Sequence, residues 1–454
     1  MMTDDTIAAI ATANGAGGIA IIRVSGPQAL AIADQIFLCK GARPSARDTH
    51  TIAWGRVMEA GQLVDEALLL IMRAPHSYTG EDVVEFQCHG GAVTPKWVLR
   101  AALQAGARAA EAGEFTYRAF INGRMDLVQA ESVNDLIHSR SERAARLALE
   151  QMEGHLSRQF TGLYQRMVGV AADLEATLDF PDDELPPTVL PKIAEEISAV
   201  VASISALLAS WQDGHRLREG LTVVIAGRPN VGKSSLLNAL LGKERAIVSH
   251  EPGTTRDFIE EMFVVDGMPL RLIDTAGLRE TSCSIEQEGV RRTRDQLKKA
   301  DLYLYLLDAS QPVHAEDLAN IAQLPDQRCL IVLNKIDLGN NGDQRALTGR
   351  PIIEASALHL TGIECITNAL KSLIGSVINY ESIPASVISE RHYHILNKAR
   401  HALKDGLASV QDSTDQVIAA HHIRQAIDLI GAITGNSATE DILSAIFSKF
   451  CVGK

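Results

Sequence analysis

The chain has 454 residues and a formal net charge of −13, with 46% hydrophobic and 22% charged residues. This length is too great for one hydrophobic core and predicts two or three domains. The acidic balance argues against a surface that is basic throughout, as nonspecific nucleic-acid binders have, although a local basic face remains possible.

Six cysteines lie far apart without any CxxC pair, which argues against a zinc site or a disulfide framework. The N-terminus, MMTDDT, is too acidic for a secretory signal. No apolar run approaches the roughly 20 residues that span a bilayer. We therefore expect a cytoplasmic protein that does not contact a membrane.

Residues 1–118 have the mixed pattern of an α+β domain. Strands are predicted at 19–24, 67–72 and 82–91, and a helix is predicted to begin at Pro95.

Helical periodicity dominates residues 119–216 and 379–454. The last helix is predicted to open with a capping box of Ser437 and Glu440. One face of this helix should then be buried, through Ile442, Leu443, Ile446, Phe447 and Phe450. Since helical segments flank the α/β segment 217–378, we expect an α/β unit inserted into a helical domain.

The α/β segment carries five short motifs in the order that a GTP-binding switch domain requires. They are GRPNVGKS at 227–234, GTTRD at 253–257, DTAG at 274–277, NKID at 334–337 and SA at 356–357. A buried strand precedes the first motif and a helix follows it, which is the context of a phosphate-binding loop. Backbone N–H groups and the helix N-terminus there favour a polyphosphate anion.

The motif residues have distinct predicted roles. Lys233 reaches the β and γ phosphates, and the hydroxyls of Ser234 and Thr255 coordinate Mg²⁺. Asn334 and Asp337 select guanine, since a carboxylate accepts from a ring N–H and an exocyclic amine that adenine does not present together. The whole predicted GTP-binding set is Asn230, Val231, Gly232, Lys233, Ser234, Ser235, Ser249, His250, Glu251, Pro252, Gly253, Thr254, Thr255, Asp274, Thr275, Ala276, Gly277, Asn334, Lys335, Asp337, Ser356 and Ala357.

The residue after DTAG is Leu278, where many GTPases have a glutamine that orients the attacking water. An alkyl side chain cannot do this. Either hydrolysis is slow, or another group supplies the contact and the positive charge. The candidates in this chain are Arg256, Arg279, Glu280, Glu286 and Glu288.

These motifs, with TGEDVVEFQCHGG at 79–91, GEFTYRAFINGRMDLVQAE at 113–131 and the terminal FCVGK, make the whole chain resemble the MnmE (TrmE) family of tRNA-modifying GTPases. The resemblance implies an N-terminal tetrahydrofolate-binding and dimerisation domain at 1–118, a helical domain at 119–216 and 379–454, and an inserted Ras-like G domain at 217–378. It also implies a homodimer that works with the flavoprotein MnmG (GidA). Together they add a carboxymethylaminomethyl or aminomethyl group at C5 of U34 in tRNA, with a carbon from 5,10-methylenetetrahydrofolate.

The resemblance also assigns roles to residues. Folate contacts, also available to the analogue 5-formyltetrahydrofolate, fall on Arg23, Glu85, Arg124 and Lys454. K⁺ would be held by Asn230, Ser249, Glu251 and Thr254. Glu286 becomes the residue that orients water, so that the predicted catalytic set is Glu286, Lys233 and Asn230.

Cys451 has two readings. A thiolate can attack a pyrimidine ring, which would give this residue a part in tRNA modification. The alternative is a small residue with a structural or positioning role after an amphipathic helix.

Two other functions stay open at this point. The first is a ribosome-assembly GTPase that binds rRNA, although such proteins usually add a basic RNA-binding module. The second is an aminomethyltransferase in which GTP is only regulatory.

Overall fold

The computed structural model describes residues 5–13, 15–179, 188–243, 260–274, 300–339, 347, 349–377, 387–411 and 416–454. The chain forms two compact units. The first comprises 1–134, 151–201 and 398–454, and the second comprises 135–150 and 202–397.

The first unit contains a seven-stranded sheet. Its strands are β1 (Ile7–Ile10), β2 (Ile19–Ser25), β3 (Phe37–Cys39), β4 (Thr51–Glu59), β5 (Gln62–Met72), β6 (Val83–His89) and β7 (Arg108–Ala109). Their order is β3-β4-β5-β6-β2-β1-β7, and neighbouring strands are antiparallel except for β1 and β7. The strands predicted at 19–24, 67–72 and 82–91 are confirmed as β2, β5 and β6.

The two faces of this sheet differ because side chains alternate along each strand. One face packs against helices α1 (Ala29–Ile36) and α2 (Thr94–Gln104), and α2 has the predicted Pro95 in its first turn. The opposite face carries the registered pair Arg23 and Glu85. Three exposed apolar side chains lie on that face: Ile52 in the same cross-strand row, and Trp54 and Leu68 in the next row.

Helices of 8 to 25 residues make up most of the rest of the described region outside the inserted segment. They are α3 (Glu114–Ile121), α4 (Leu127–Ile137), α5 (Glu142–Met152), α6 (His155–Asp179), α7 (Val189–Ala209), α8 (Trp211–Glu219), α12 (Glu390–Gln411), α13 (Gln416–Thr434) and α14 (Glu440–Phe447). A turn at Gly154 with φ of +79° separates α5 from α6.

The predicted capping box at the last helix is wrong. Helix α14 begins at Glu440 with Thr439 as its N-cap, and no side chain caps it. The Ser437 hydroxyl instead donates to the Asp428 carbonyl (2.7 Å), so it is not available to the helix N-terminus. The predicted apolar face is confirmed: Ile446, Phe447 and Phe450 are buried, and Ile442 and Leu443 pack against them.

The expectation that no segment could span a bilayer also needs correction. The stretch Val189–Glu219 is long and apolar enough to span a bilayer, judged by length and composition alone. Its buried positions recur every three or four residues, however, at Ile193, Ile197, Val200, Ile204 and Leu208. This spacing is typical of a helix that packs one face into a protein core, so a single such stretch is weak grounds for a membrane span.

The second unit is built on a six-stranded sheet. Its strands are β8 (Leu221–Ala226), β9 (Glu260–Val265), β10 (Met268–Asp274), β11 (Leu302–Asp308), β12 (Cys329–Asn334) and β13 (Ile352–Glu354). Their order is β13-β12-β11-β8-β10-β9, parallel throughout except for β9 against β10. The parallel order, with crossovers through helices, is the α/β architecture predicted for this segment.

Helices cover both faces of this sheet. Helices α9 (Lys233–Lys243) and α11 (Ile363–Val377) share a core with Leu302, Leu304 and Leu306. Helix α10 (Ala315–Ala322) packs on the face that carries Tyr303, Tyr305 and Leu307. The carboxyl ends of β8, β11 and β12 therefore meet at one edge, where ligands of open α/β sheets bind.

Candidate functional site

The phosphate-binding loop connects β8 to α9 as predicted. Asn230 and Gly232 have positive φ values of 64° and 99°, which curl the backbone in front of the helix N-terminus. Lys233 is buried, and its Nζ donates to the carbonyls of Gly227 (2.7 Å) and Arg228 (2.9 Å). A positive charge is thus held inside the loop at the N-terminus of a helix, which suits an anion.

The loop lies against the first residue of the NKID motif. Asn334 is only 2% exposed, and its Nδ2 donates to the Val231 carbonyl (2.8 Å). A Cβ on Gly232 would lie 2.2 Å from the same Nδ2, so only glycine permits this approach. The amide of Asn334 also accepts a hydrogen bond at Oδ1 from the Ala357 backbone N–H (2.9 Å). One side chain therefore joins the phosphate loop to the SA motif.

The NKID and SA motifs contact each other through Asp337. Ser356 Oγ donates to Asp337 Oδ1 (2.5 Å), and this hydrogen bond lowers the pKa of Asp337. The backbones of Ser356 and Thr361 bond each other in both directions and close the turn that presents the serine. The result is an ionised, partly exposed carboxylate beside Asn334, able to accept two N–H groups of guanine.

Lys335 has a partner that the motif does not specify. Its Nζ donates to Asp308 Oδ2 (2.7 Å) at the end of β11. Burial raises the pKa of Asp308, but hydrogen bonds from Lys335 and Ser310 outweigh burial and leave it below its ordinary value. The pair fixes the lysine side chain next to the phosphate loop.

Other predicted nucleotide residues lie near or outside the described region. Ser234 and Ser235 are exposed in the first turn of α9. Asp274 ends β10, which is parallel to β8 and adjacent to it. The predicted residues Ser249, His250, Glu251, Pro252, Gly253, Thr254, Thr255, Thr275, Ala276, Gly277 and Glu286 lie outside the described residues.

A cavity of about 1010 Å³ flanks the loop. Its lining includes residues 226–231, Asp308 and Lys335, together with Tyr303, Tyr305 and residues of α10. Asn334, Asp337 and Ser356 are not among its described lining residues. The cavity is therefore adjacent to these three residues, and Lys335 of the same NKID motif lines it.

A second polar site lies on the open face of the N-terminal sheet. Arg23 on β2 donates through Nε to Glu85 Oε1 on β6 (2.7 Å), and both side chains are largely buried. The guanidinium lies over the Tyr78 and Phe115 rings, with its carbon 5.1 and 5.6 Å from the ring centroids. A planar cation in an aromatic setting suits a planar anionic ligand.

The C-terminal tail reaches this second site. Val452 forms an antiparallel bridge with Ala112, and the Phe115 N–H donates to the Lys454 carbonyl (3.2 Å). Gly453 has φ of +97°, and a Cβ there would lie 2.4 Å from the Ile10 carbonyl oxygen. Burial first, and then the positive charge of Arg23, lower the pKa of Lys454. The structure thus brings together three of the four residues predicted to bind folate.

The fourth residue, Arg124, lies at the edge of the same region. Its Nε donates to the Ser77 carbonyl (3.0 Å). Arg124 and Tyr78 line a cavity of about 350 Å³. Cys451 is partly buried, and its carbonyl accepts a hydrogen bond from the Gly113 N–H (3.4 Å).

The motifs do not identify several residues that complete these sites. Asp308 and Tyr78 are examples, because each contacts a motif residue from a different element. Asp308 could have been found, since a charged residue at the carboxyl end of a buried parallel strand usually faces the ligand edge. No comparable signal marks Tyr78.

Gly232→Ala should lower the affinity for GDP by about tenfold or more, because the new methyl group must displace Asn334 and a positive φ costs alanine about 1–3 kcal/mol. Gly242→Ala is the matched control: it lies in α9, with no atom near the added methyl group and an ordinary φ. Fluorescence titration and thermal unfolding of both variants test this. Unchanged GDP affinity in Gly232→Ala would contradict the assigned contact.

The comparisons with known proteins agree with this architecture. A family model described as the GTP-binding protein TrmE N-terminus matches residues 6–124, and one described as the MnmE helical domain matches residues 127–451. The tRNA modification GTPase MnmE of Desulforamulus reducens is 42% identical over 100% of both chains. That of Moorella thermoacetica is 43% identical, also over 100% of both, and that of Chlorobaculum tepidum is 42% identical over 99% of this chain and 97% of its own. This chain belongs to the MnmE family of tRNA modification GTPases.

Proposed function

We propose that this chain hydrolyses GTP in a K⁺-dependent manner and, with the flavoprotein MnmG (GidA), adds a carboxymethylaminomethyl or aminomethyl group at C5 of U34 in tRNA. The carbon comes from 5,10-methylenetetrahydrofolate. The observation that carries this proposal is the second site, because a ribosome-assembly GTPase has no use for a polar site built from Arg23, Glu85 and the chain terminus.

The nucleotide part of the proposal rests on the loop and its partners. Asn334, Lys335 and Asp337 bind guanine, and Lys233 binds the phosphates. Ser234 and Thr255 hold Mg²⁺, and Asn230 holds K⁺ together with Ser249, Glu251 and Thr254. A monovalent cation beside the phosphates supplies the charge that an arginine finger gives to other GTPases. Glu286 orients the attacking water, which Leu278 cannot do.

The folate part rests on the chemistry of the second site. Arg23 and Lys454 offer positive charge to a glutamate tail, Glu85 can accept hydrogen bonds from a pterin ring, and Arg124 adds a cation at the rim. Tyr78 and Phe115 supply the aromatic surroundings that a planar ring prefers. Glu85 is held in place by Arg23 rather than by solvent.

A homodimer is supported by the exposed apolar side chains on the same face of the sheet. Trp54 is 58% exposed and Ile52 is 61% exposed; Ile52 lies in the same cross-strand row as Arg23 and Glu85, and Trp54 lies in the next row. Contiguous apolar surface of this kind usually marks an interface. We propose that a second copy covers it, which agrees with the family's dimerisation through N-terminal domains.

We also propose domain boundaries at residues 118, 216 and 378. We place the reaction in the cytoplasm, where tRNA and MnmG are available.

GTP turnover should rise when K⁺ replaces Na⁺ at equal ionic strength. The expected increase is at least about tenfold, a small part of the effect of an arginine finger. Steady-state phosphate release in the two salts, with GDP affinity as the control, tests this. Equal rates in both salts would exclude the potassium mechanism.

Glu286→Ala should reduce turnover by roughly 100-fold or more, as expected for the loss of a group that positions or deprotonates water. Nucleotide affinity should not change, since the carboxylate acts on water rather than on GTP. Glu288→Ala, two residues away, is the matched control. Normal turnover in Glu286→Ala would exclude the catalytic role of Glu286.

The full-length protein should bind 5-formyltetrahydrofolate in equilibrium dialysis. Arg23→Met should weaken binding by about tenfold, within the range for a charged hydrogen bond, whereas Arg100→Met, whose partner is Glu59 on β4, should bind normally. Absence of binding by the unmodified protein would favour the rRNA-binding alternative.

A further inference from the structure

Asp317 on α10 is a buried carboxylate that no motif explains. It is only 2% exposed, and its Oδ1 accepts a hydrogen bond from the Tyr305 hydroxyl (3.0 Å). Its Oδ2 lies 3.0 Å from Arg228 Nε. Aspartate is almost never fully buried unless it is paired, so this position has a specific electrostatic requirement.

Arg228 is the second residue of the phosphate-binding loop. Its backbone carbonyl accepts a hydrogen bond from Lys233 Nζ (2.9 Å), while its side chain reaches Asp317. Within the described part of the chain, the Arg228 Nε–H makes no well-directed hydrogen bond. Its contact with Asp317 is therefore an ion pair rather than a hydrogen bond. One residue therefore links a helix on the sheet face to the loop lysine.

The sheet fixes the Asp317 end of the ion pair. Tyr305 is buried on β11, and Asn320 Nδ2 donates to its hydroxyl oxygen (3.4 Å). Burial raises the pKa of Tyr305, so that its hydroxyl stays protonated and can donate to Asp317. The carboxylate is thus held on rigid elements, as a positioning group must be.

We propose that Arg228 and Asp317 form a positioning pair that sets the conformation of the phosphate-binding loop for GTP. The inference rests on the proposed nucleotide role of that loop. The pair does not touch the reacting atoms; it acts through the Arg228 backbone, whose carbonyl locates Lys233. The loop pattern leaves position 228 unrestricted, so that the motif itself does not require this contact.

The test uses the full-length chain and a double-mutant cycle with Asp317→Asn and Arg228→Met. Asp317→Asn keeps the size of the side chain and can still accept from Tyr305, and Arg228→Met removes the charge at a partly exposed position. Each variant should lower GDP affinity by about tenfold. A loss of this size is within the range of interaction energies that double-mutant cycles give for residues in contact. The double variant should lose no more than the worse single variant. The ratio of GDP to IDP affinity should be unchanged, because inosine differs only at the base.

Two further variants distinguish a failure of the positioning pair from a failure of the loop's proposed nucleotide role. Asp326→Asn, which breaks an ion pair with Arg350 just beyond the end of α10, should leave GDP affinity unchanged. Lys233→Ala should abolish tight GDP binding, and normal binding there would overturn the proposed role of the loop itself. Additive losses in the cycle, or a lower melting temperature with unchanged GDP affinity, would overturn the positioning pair alone.

Discussion

The buried amide of Asn334 is the contact on which the nucleotide site depends. It donates to the phosphate loop at Val231 and accepts from the SA turn at Ala357, at 2.8 and 2.9 Å. An asparagine amide can do both at once, because one end donates and the other accepts. The approach also requires Gly232 to lack a Cβ. Parallel strands bring their carboxyl ends to one edge, and this amide joins the loop after β8 to the SA turn, the two elements that we propose to hold phosphate and guanine.

The second site is assembled in a similar way from distant parts of the chain. Arg23 and Glu85 are neighbours because β2 and β6 are paired in register, and Lys454 joins them because the tail bridges to Ala112. The tail can lie there only because Gly453 approaches the Ile10 carbonyl. In both sites a glycine permits a close approach: at Gly232 the amide side chain of Asn334 approaches, and at Gly453 the Ile10 carbonyl approaches. Residues 452–454 are therefore held in place as part of the second site.

Much of this arrangement could be predicted from the sequence, for identifiable reasons. Alternating and apolar runs predicted β2, β5 and β6, and the loop motif is specific because its glycines have a steric function. The capping box failed because a Ser-x-x-Glu pattern does not show which partner the serine hydroxyl will find, and Ser437 bonds the Asp428 carbonyl. Asp317 was not predicted because it acts through tertiary contacts, and a single sequence does not reveal which buried carboxylate faces which cation.

The two sites would serve one reaction if GTP hydrolysis drives the transfer of a folate-borne carbon to tRNA. Nucleoside analysis of bulk tRNA by mass spectrometry, in a strain that lacks this chain and is complemented with either the unmodified chain or Arg23→Met, tests this most directly. We predict that the C5 substituent at U34 is lost in the deletion strain, restored by the unmodified chain, and not restored to the same level by Arg23→Met. A deletion strain with an unchanged U34 substituent would contradict it.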